Sequence, residues 1–556
     1  MIIDLNDMQN RELPVYDLCI IGSGPSGMTV AHELASTGLH ICVLESGLSK
    51  HTRHGDRLRR VESQGIHIKE YSRERVLGGA STTWSGLASP LDPIDMHPRP
   101  YLRHSGWPIS RDELMPFYEA AAERYRFPPL ELFFCHRLEE VKRKGDLSLS
   151  WDQVEEKIFM AADEPQQFGR EFKGIFDQPH VDLYLDATLI RLEAGTAEKK
   201  ITHGILRTRD QFTMKVQARA FVIAAGGIEN PRILLNSRDL CGAGLGNEFN
   251  QVGRYLMNHP KNYYGVIRLS KPLKELPYYL GCLYQGFAGY AGLRLKESVQ
   301  ERRQLLNAYV RFEPIFPWSD CRGVEALVLI AKQCKFILRS WKKGRKDEVI
   351  SLRDYAETGD DTDLQNERKS FFQWVLLFAL IFVHLPRVTM YLYYRLRKNA
   401  KPVVKAIRIR NFMEMEPQPE NRVTLSEEKD IYGQPVPMVR HGCSEVDKRS
   451  LIELHRALEE EVLRNGLGKL VSRLQEEEPW PIIQDASHHM GTTRMGENPA
   501  ISVVNADGRL HSVENVFIAG GSVFPTSGCA NPTFTMVALS IRLAQHLKSH
   551  FFGKET

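Results

Sequence analysis

The sequence predicts an α/β protein with a discontinuous parallel-sheet domain, into which a second, α+β domain built on an antiparallel sheet is inserted. Three observations predict this arrangement. A strand, glycine turn and helix pattern occupies residues 16–47, and a second one occupies residues 487–550. Alternating β-branched segments fill much of the chain between them, and we expect these segments, including residues 404–417 and 421–442, to form one antiparallel sheet that covers the other domain. Two similar units at opposite ends of the chain indicate one domain that is assembled from both.

Composition is ordinary for a globular protein. The 556 residues are 42% hydrophobic and 26% charged, and the net charge of +4 gives no case for nucleic-acid binding. The nine cysteines form no CxxC pair, so we expect reduced thiols and neither a zinc site nor a disulfide framework. The first residues lack the basic and apolar regions of a secretory signal, and the expected location is cytoplasmic.

The N-terminal unit has the pattern of a dinucleotide-binding turn. Gly22, Gly24 and Gly27 form GxGxxG between an apolar strand at residues 18–21 and a helix expected at residues 28–36, and Glu45 ends the next strand, expected at residues 41–44. The glycines permit a tight turn, close approach of a pyrophosphate and close helix packing, while the acid suits ribose hydroxyls. This context predicts a Rossmann-like unit with a bound dinucleotide, and it does not separate FAD from NAD.

Two further stretches carry the chemistry. The loop RVLGGASTTWSG, residues 75–86, is rich in glycine and hydroxyl groups and could lie against a flat ring system. The C-terminal unit begins SHHMGTTRMG, crosses a turn at Gly520 and Gly521, and continues as NPTFT into a helix. A histidine and an asparagine at the edges of one such unit suit proton transfer and oxyanion binding.

Together these stretches resemble the glucose-methanol-choline (GMC) family of flavin oxidoreductases, and more narrowly its bacterial, pyranose-oxidase-like branch. The resemblance implies FAD as cofactor. It implies an FAD-binding domain made of residues 1–100, 177–260 and 481–556. Residues 101–176 and 261–480 would then form the substrate domain and lid segments.

The resemblance also assigns cofactor contacts. Relatives with covalent FAD have a histidine in the 75–86 loop; the corresponding residue here is Thr83, so we expect non-covalent FAD. Leu189 marks where the family holds adenine through the backbone. The residues expected at the cofactor are Gly22, Gly24, Gly27, Glu45, Gly78, Gly79, Ser81, Thr82, Thr83, Trp84, Ser85, Leu189, Ala225, Gly226, Gly520, Gly521, Pro532 and Thr533.

The family pattern selects two catalytic residues. His488 matches the histidine of H-x-x-G-T and is the expected general base; Asn531 matches the second position, which is Asn or His, and is expected to bind the substrate oxygen. We assign the adjacent His489 to positioning or structure. Two neighbouring histidines raise the alternative of a metal site, but no third ligand has suitable spacing, so we expect none.

The predicted function is FAD-dependent oxidation of a CH–OH group of a sugar, glycoside or polyol. The partner is thus a small-molecule alcohol or sugar, and the electron acceptor stays open. Three alternatives remain: an FAD-retaining lyase of the same family, a membrane-associated dehydrogenase acting on a lipid-linked alcohol, and a non-catalytic, membrane-docked flavoprotein. The intact pair of His488 and Asn531 argues against the last.

One insert differs from the rest of the chain. Residues 332–410 contain 18 Lys or Arg and 8 Asp or Glu, a net charge of +10, whereas the remainder sums to −6. Its uninterrupted apolar run, residues 374–383, is too short to span a bilayer. A buried helix pair, a peripheral membrane contact through residues 371–410, and a membrane span remain as interpretations.

Overall fold

The computed structural model describes residues 1–8, 12–143, 149–162, 164–195, 200–273, 276–342, 370–397, 402–482 and 484–553. The helices in this part of the chain are Pro25–Leu34, Arg53–Arg57, Pro93–Met96, Arg111–Tyr125, Glu139–Arg143, Phe168–Glu171, Glu229–Asn236, Pro277–Leu280, Glu297–Arg303, Arg322–Lys342, Phe371–Val383, Leu385–Leu396, Glu445–Arg464 and Thr533–His546.

The first sheet contains eight strands, mostly parallel. Its order is Ile2–Asp4, Val181–Leu185, Ile41–Leu44, Val15–Ile21, Thr213–Ile223, Ile201–Arg207 and Thr188–Ala194, and Val516–Ile518 also pairs with Thr213–Ile223. The strands Val15–Ile21 and Val516–Ile518 flank Thr213–Ile223 and run parallel to it. Since parallel strands end at the same edge, the glycine turns from both ends of the chain meet there. The predicted discontinuous α/β fold is confirmed.

Two helices that follow these turns pack together on the sheet. Pro25–Leu34 contacts Thr533–His546, which also packs against Arg111–Tyr125. The Tyr118 hydroxyl lies 2.6 Å from Thr535 Oγ1 in this buried interface. Because Pro25–Leu34 contacts Thr533–His546, residues from both ends of the chain stabilise the same domain.

The second sheet, the roof sheet, is antiparallel as the alternating segments predict. Its order is Cys282–Tyr284, Phe287–Leu295, Tyr309–Ile315, Val404–Phe412, Lys261–Leu273 and Gly468–Val471, and Val154–Ala162 also pairs with Phe287–Leu295. The domain boundaries given above stay predictions.

One predicted part of the roof lies elsewhere. The strands Arg422–Lys429 and Pro435–His441 form a hairpin that pairs with Glu62–Gly65 in a separate three-stranded sheet. The alternation of these segments correctly predicts strands. The strand with which the hairpin pairs lies far away in the chain, however, since Met438 is opposite Glu62, 376 residues earlier. The expectation that they extend the roof sheet is therefore wrong.

The basic insert forms helices between two neighbouring roof strands, Tyr309–Ile315 and Val404–Phe412. Across the described residues, no single helix is long and apolar enough to span a membrane, whereas Phe371–Val383 and Leu385–Leu396 pass that test jointly with an 82° bend between them. The first of these helices has no buried residue, so the interpretation as a buried helix pair is wrong for it. Residues 343–369 and 398–401 of the insert, including Lys398 and Lys401, lie outside the described residues.

Candidate active site and cofactor cleft

A cleft at the carboxyl edge of the first sheet unites the predicted turns. It is lined by Gly22, Gly24, Glu45, Gly79, Leu189, Ala225, Gly226 and Gly520, all predicted cofactor residues. Within the described chain, the other predicted cofactor residues lie off its wall; these are Gly27, Gly78, Ser81, Thr82, Thr83, Trp84, Ser85, Gly521, Pro532 and Thr533.

The three glycines of the first turn serve different purposes. Gly22 has φ +103°, and a Cβ there would lie 2.6 Å from the Ala224 carbonyl oxygen. A Cβ on Gly27 would lie 1.9 Å from the Gly22 carbonyl oxygen. By contrast, Gly24 has φ −69°, and a Cβ there would meet no protein atom within 4 Å. Protein packing therefore requires glycine at positions 22 and 27, whereas Gly24 leaves space for a ligand at the turn.

The helix that starts at this turn offers free donors to the cleft. Pro25–Leu34 begins at Gly24 without a side-chain cap. The hydroxyl of Ser26, which lines the cleft, is buried and has no hydrogen-bond partner among the described residues. An uncapped helix N-terminus beside an unsatisfied hydroxyl suits an anion such as a pyrophosphate. The residues present therefore fit the dinucleotide that the glycine pattern predicts.

Glu45 directly follows the strand Ile41–Leu44. Its carboxylate accepts hydrogen bonds from Ser23 Oγ at 2.6 Å and from the Gly47 amide at 2.8 Å. Burial raises the pKa of Glu45, and these hydrogen bonds oppose that shift. The side chain is held at the cleft wall, and its contact with a ribose stays a prediction.

The 75–86 loop folds over the first turn. A Cβ on Gly79 would lie 3.1 Å from the Gly24 Cα, so the two glycine-rich segments are in direct contact. Trp84 Nε1 donates to the Gln166 carbonyl at 2.7 Å, which ties the loop to the segment before Phe168–Glu171. Thr83 Oγ1 donates to the Ala80 carbonyl at 3.3 Å, and this side chain offers no imidazole for a covalent bond to a cofactor.

Sequence reasoning missed an ionic cluster at this cleft. Glu229 accepts from Arg73 and Arg75 at 2.6 and 2.7 Å, and from Arg232 at 3.1 Å. Burial alone would raise the pKa of Glu229, but the three guanidinium groups hold it well below its usual value. Burial lowers the pKa of Arg73 to about 10. Arg73 and Glu229 are 156 residues apart, so no local pattern could have indicated their pairing.

A hydrogen-bonded chain sets the protonation of His488. His259 Nε2 lies 2.8 Å from the Gly528 carbonyl oxygen, which can only accept, so His259 carries its proton on Nε2. Burial lowers the pKa of His259 to about 4, which keeps it neutral and leaves Nδ1 as an acceptor. His488 Nδ1, 2.9 Å away, must therefore donate to it. This arrangement leaves Nε2 of His488 unprotonated, as a general base requires.

The backbone around His488 is held by two buried polar residues. Asn258 Oδ1 accepts from the amides of His488 and His259 at 3.1 and 2.8 Å. Asn258 in turn donates to Asp485, which also accepts from the Ser487 amide. Burial lowers the pKa of His488 well below 6.5, and positive charge on His259 and Lys261 would lower it further. The site thus stabilises the neutral imidazole.

The same chain connects His488 to the loop that holds Asn531. Asn531 follows three residues after Gly528, is partly exposed, and its amide has no hydrogen-bond partner among the described residues. His489 lines the cofactor cleft, and its Nε2 lies 3.5 Å from Asp485 Oδ2. The adjacent histidines therefore face different surroundings. Their separate roles, base for His488 and positioning for His489, stay predictions.

Comparison with known proteins identifies the family. The GMC oxidoreductase family model matches residues 417–540, and a model of an NAD(P)-binding Rossmann-like domain matches residues 20–68. Paromamine 6'-oxidase of Streptomyces fradiae is 31% identical over 98% of this chain and 93% of its own length. The chain belongs to the GMC oxidoreductase family.

Other relatives agree with this placement. The fructose dehydrogenase large subunit of Gluconobacter japonicus is 23% identical over 97% of this chain and 98% of its own length. The crystal structure of pyridoxine 4-oxidase from Mesorbium loti matches 96% of this chain and 99% of that one, with 14% identity and a TM-score of 0.54, which supports the fold. As a GMC oxidoreductase the protein is an FAD-dependent enzyme that oxidises CH–OH groups, and its cofactor cleft fits FAD.

Proposed function

We propose that this enzyme oxidises a CH–OH group of a sugar, glycoside or polyol, with His488 as the general base and Asn531 as the oxygen-binding residue. The observation that carries the proposal is the chain from the Gly528 carbonyl through His259 to His488, because it leaves His488 Nε2 with a free lone pair. The relatives named paromamine 6'-oxidase and fructose dehydrogenase act on polyhydroxylated compounds, which supports this substrate class.

The residues divide the reaction between them. Oxidation of an alcohol removes a proton from oxygen and a hydride from carbon, and FAD, when bound, accepts the hydride. His488 Nε2 takes the hydroxyl proton, and its Nδ1–H bond to His259 holds the imidazole ring in place. The Asn531 amide donates to the substrate oxygen as negative charge develops on it.

The test is anaerobic reduction of the enzyme-bound flavin by sugars and polyols. Replacing His488 with Ala should slow reduction by about 10²- to 10⁴-fold, the usual contribution of a positioned base. FAD content should be retained, since His488 does not line the cofactor cleft. His489→Ala is the matched control variant. Its rate of flavin reduction is expressed per bound FAD, because His489 lines the cleft and its loss could lower FAD content.

Two results would contradict the proposal. An unchanged rate in His488→Ala, or a larger loss per bound FAD in His489→Ala, would move the base to another residue. Product formed without bleaching of the flavin absorbance in the absence of oxygen would instead identify a lyase.

A further inference from the structure

The helical hairpin Phe371–Val383 and Leu385–Leu396 exposes an unusual amount of apolar surface. Its large apolar side chains with more than a third of their surface exposed are Phe371, Phe372, Val375, Leu376, Phe378, Phe382, Val383, Leu385, Met390, Leu392, Tyr393 and Leu396. Phe372, Phe382 and Leu396 are 82%, 76% and 81% exposed. Contiguous exposed apolar patches of this kind mark interaction sites.

The hairpin is nevertheless anchored to the body of the protein on its other side. Val388 is buried with Cys321 and Val324, at the start of the helix Arg322–Lys342. A Cβ on Gly323 would lie 2.6 Å from the His384 Cβ, so the bend of the hairpin rests directly on that helix. The exposed side therefore belongs to a packed element with a defined orientation.

Charge identifies the kind of surface that the hairpin fits. Between residues 368 and 405 the chain has no Asp or Glu, and its basic residues are Arg368, Lys369, Arg387, Arg395, Arg397, Lys398, Lys401 and Lys405. Arg387, Arg395 and Arg397 are exposed beside the apolar side chains. A second copy of this chain would bring the same positive charges together across an isologous contact. The positive charge of the hairpin therefore favours an anionic partner over a second copy of this chain.

Length and composition favour a lipid surface. The 13-residue helix Phe371–Val383 measures about 20 Å, short of the roughly 30 Å hydrocarbon core of a bilayer. Trp374 and Tyr393 belong to the residue types that concentrate at membrane–water interfaces. We propose that this hairpin docks the enzyme onto a bilayer that contains anionic phospholipid, with its apolar side chains in the interface and its arginines at the headgroups.

The hairpin is separated from the loop that holds Asn531 by the length of two roof strands. The paired strands Tyr309–Ile315 and Val404–Phe412 run from Tyr309, which belongs to an apolar cluster with Cys529, to Ile315 at the base of the insert. Six residues of strand cover about 20 Å. The hairpin thus lies at the far end of the roof sheet from the loop with Asn531, and the proposal does not depend on the substrate.

Flotation of the FAD-loaded enzyme with lipid vesicles tests this inference. Vesicles of phosphatidylcholine alone are compared with vesicles in which about one-third is phosphatidylglycerol. The apolar variant is Phe372→Ser, Phe378→Ser and Phe382→Ser together, and the charge variant combines Arg387→Glu, Arg395→Glu and Arg397→Glu. The matched control replaces Leu283 and Leu463, which are 76% and 73% exposed elsewhere, with Ser.

The wild type and the control should float with the anionic vesicles, and the bound fraction of both hairpin variants should fall at least ~10-fold. FAD content and flavin reduction by a soluble substrate should stay at the wild-type level in every variant, which shows that each one is folded. No binding of wild type to anionic vesicles, or equal binding of the hairpin variants, would overturn the inference. A wild-type dimer that the apolar variant dissolves, without vesicle binding, would also overturn it and assign this face to a second copy.

Discussion

Replacing His259 with Leu probes how the protein sets the protonation of its base. The change removes the only acceptor that the described residues provide for the Nδ1–H of His488, and it leaves the Gly528 carbonyl without its donor. His488 can then place its proton on Nε2 instead, where it cannot accept a proton from substrate. A lost buried hydrogen bond is worth about 1–3 kcal/mol, which corresponds to a roughly 5- to 150-fold lower rate of flavin reduction.

His259→Asn is the matched variant. The Asn side-chain oxygen can accept from His488 Nδ1, so most of the loss should be recovered even though the bond to Gly528 is not. Rapid-mixing measurements of flavin bleaching without oxygen give the reduction rate and the substrate dissociation constant separately. The effect should fall on the rate, with the dissociation constant and FAD content little changed.

Equal losses in the Leu and Asn variants would refute the reasoning, because a simple packing role does not distinguish an acceptor from an alkyl group. A wild-type reduction rate in His259→Leu would refute it as well.

The other predictions concern the cofactor and the pH profile. Gly24→Ala should lower the affinity for FAD and leave the stability of the apoprotein within about 1 kcal/mol of wild type, whereas Gly27→Ala should destabilise the apoprotein itself by about 1–3 kcal/mol. Thermal melts measure the stability and FAD titration measures the affinity. Full FAD affinity in Gly24→Ala would contradict the inference that this glycine leaves space for the cofactor. Burial lowers the pKa of His488, and the neutral form is the active one. Activity should therefore rise with pH through a limb below pH 6.5 and then stay level. A limb above that value in a pH–rate profile would point to another base. Acid precipitation should release all FAD into the supernatant, since Thr83 offers no imidazole; flavin that stays with the pellet would show a covalent link.

Much of the fold could be predicted because its signals are local. The strand Ile41–Leu44 has the predicted bounds. The first helix starts at Pro25, three residues earlier than predicted, since proline is favoured at the first helical position. Glycine turns, caps and apolar periods act over a few residues, so the chain shows them directly.

The site was only partly predictable, because its decisive contacts join distant residues. His488 and Asn531 stand in recognisable motifs, but the partner that orders His488 is His259, 229 residues earlier, to which the sequence pattern assigns no role. The arginines around Glu229 were missed for the same reason. Ion pairs and hydrogen bonds depend on distance in space, which a sequence pattern does not contain.

By itself, the sequence determined the class of fold, the glycine turn at residues 22–27 and the family, since each depends on residue types at short, fixed spacing. Only the tertiary structure decided which strands pair with Arg422–Lys429 and Pro435–His441, how His488 is protonated, and that the helix Phe371–Val383 is exposed rather than buried. A helix in a protein core and a surface helix that contacts a membrane have similar apolar compositions. Burial depends on what the rest of the chain packs against a helix, and the described residues cover only one side of this hairpin.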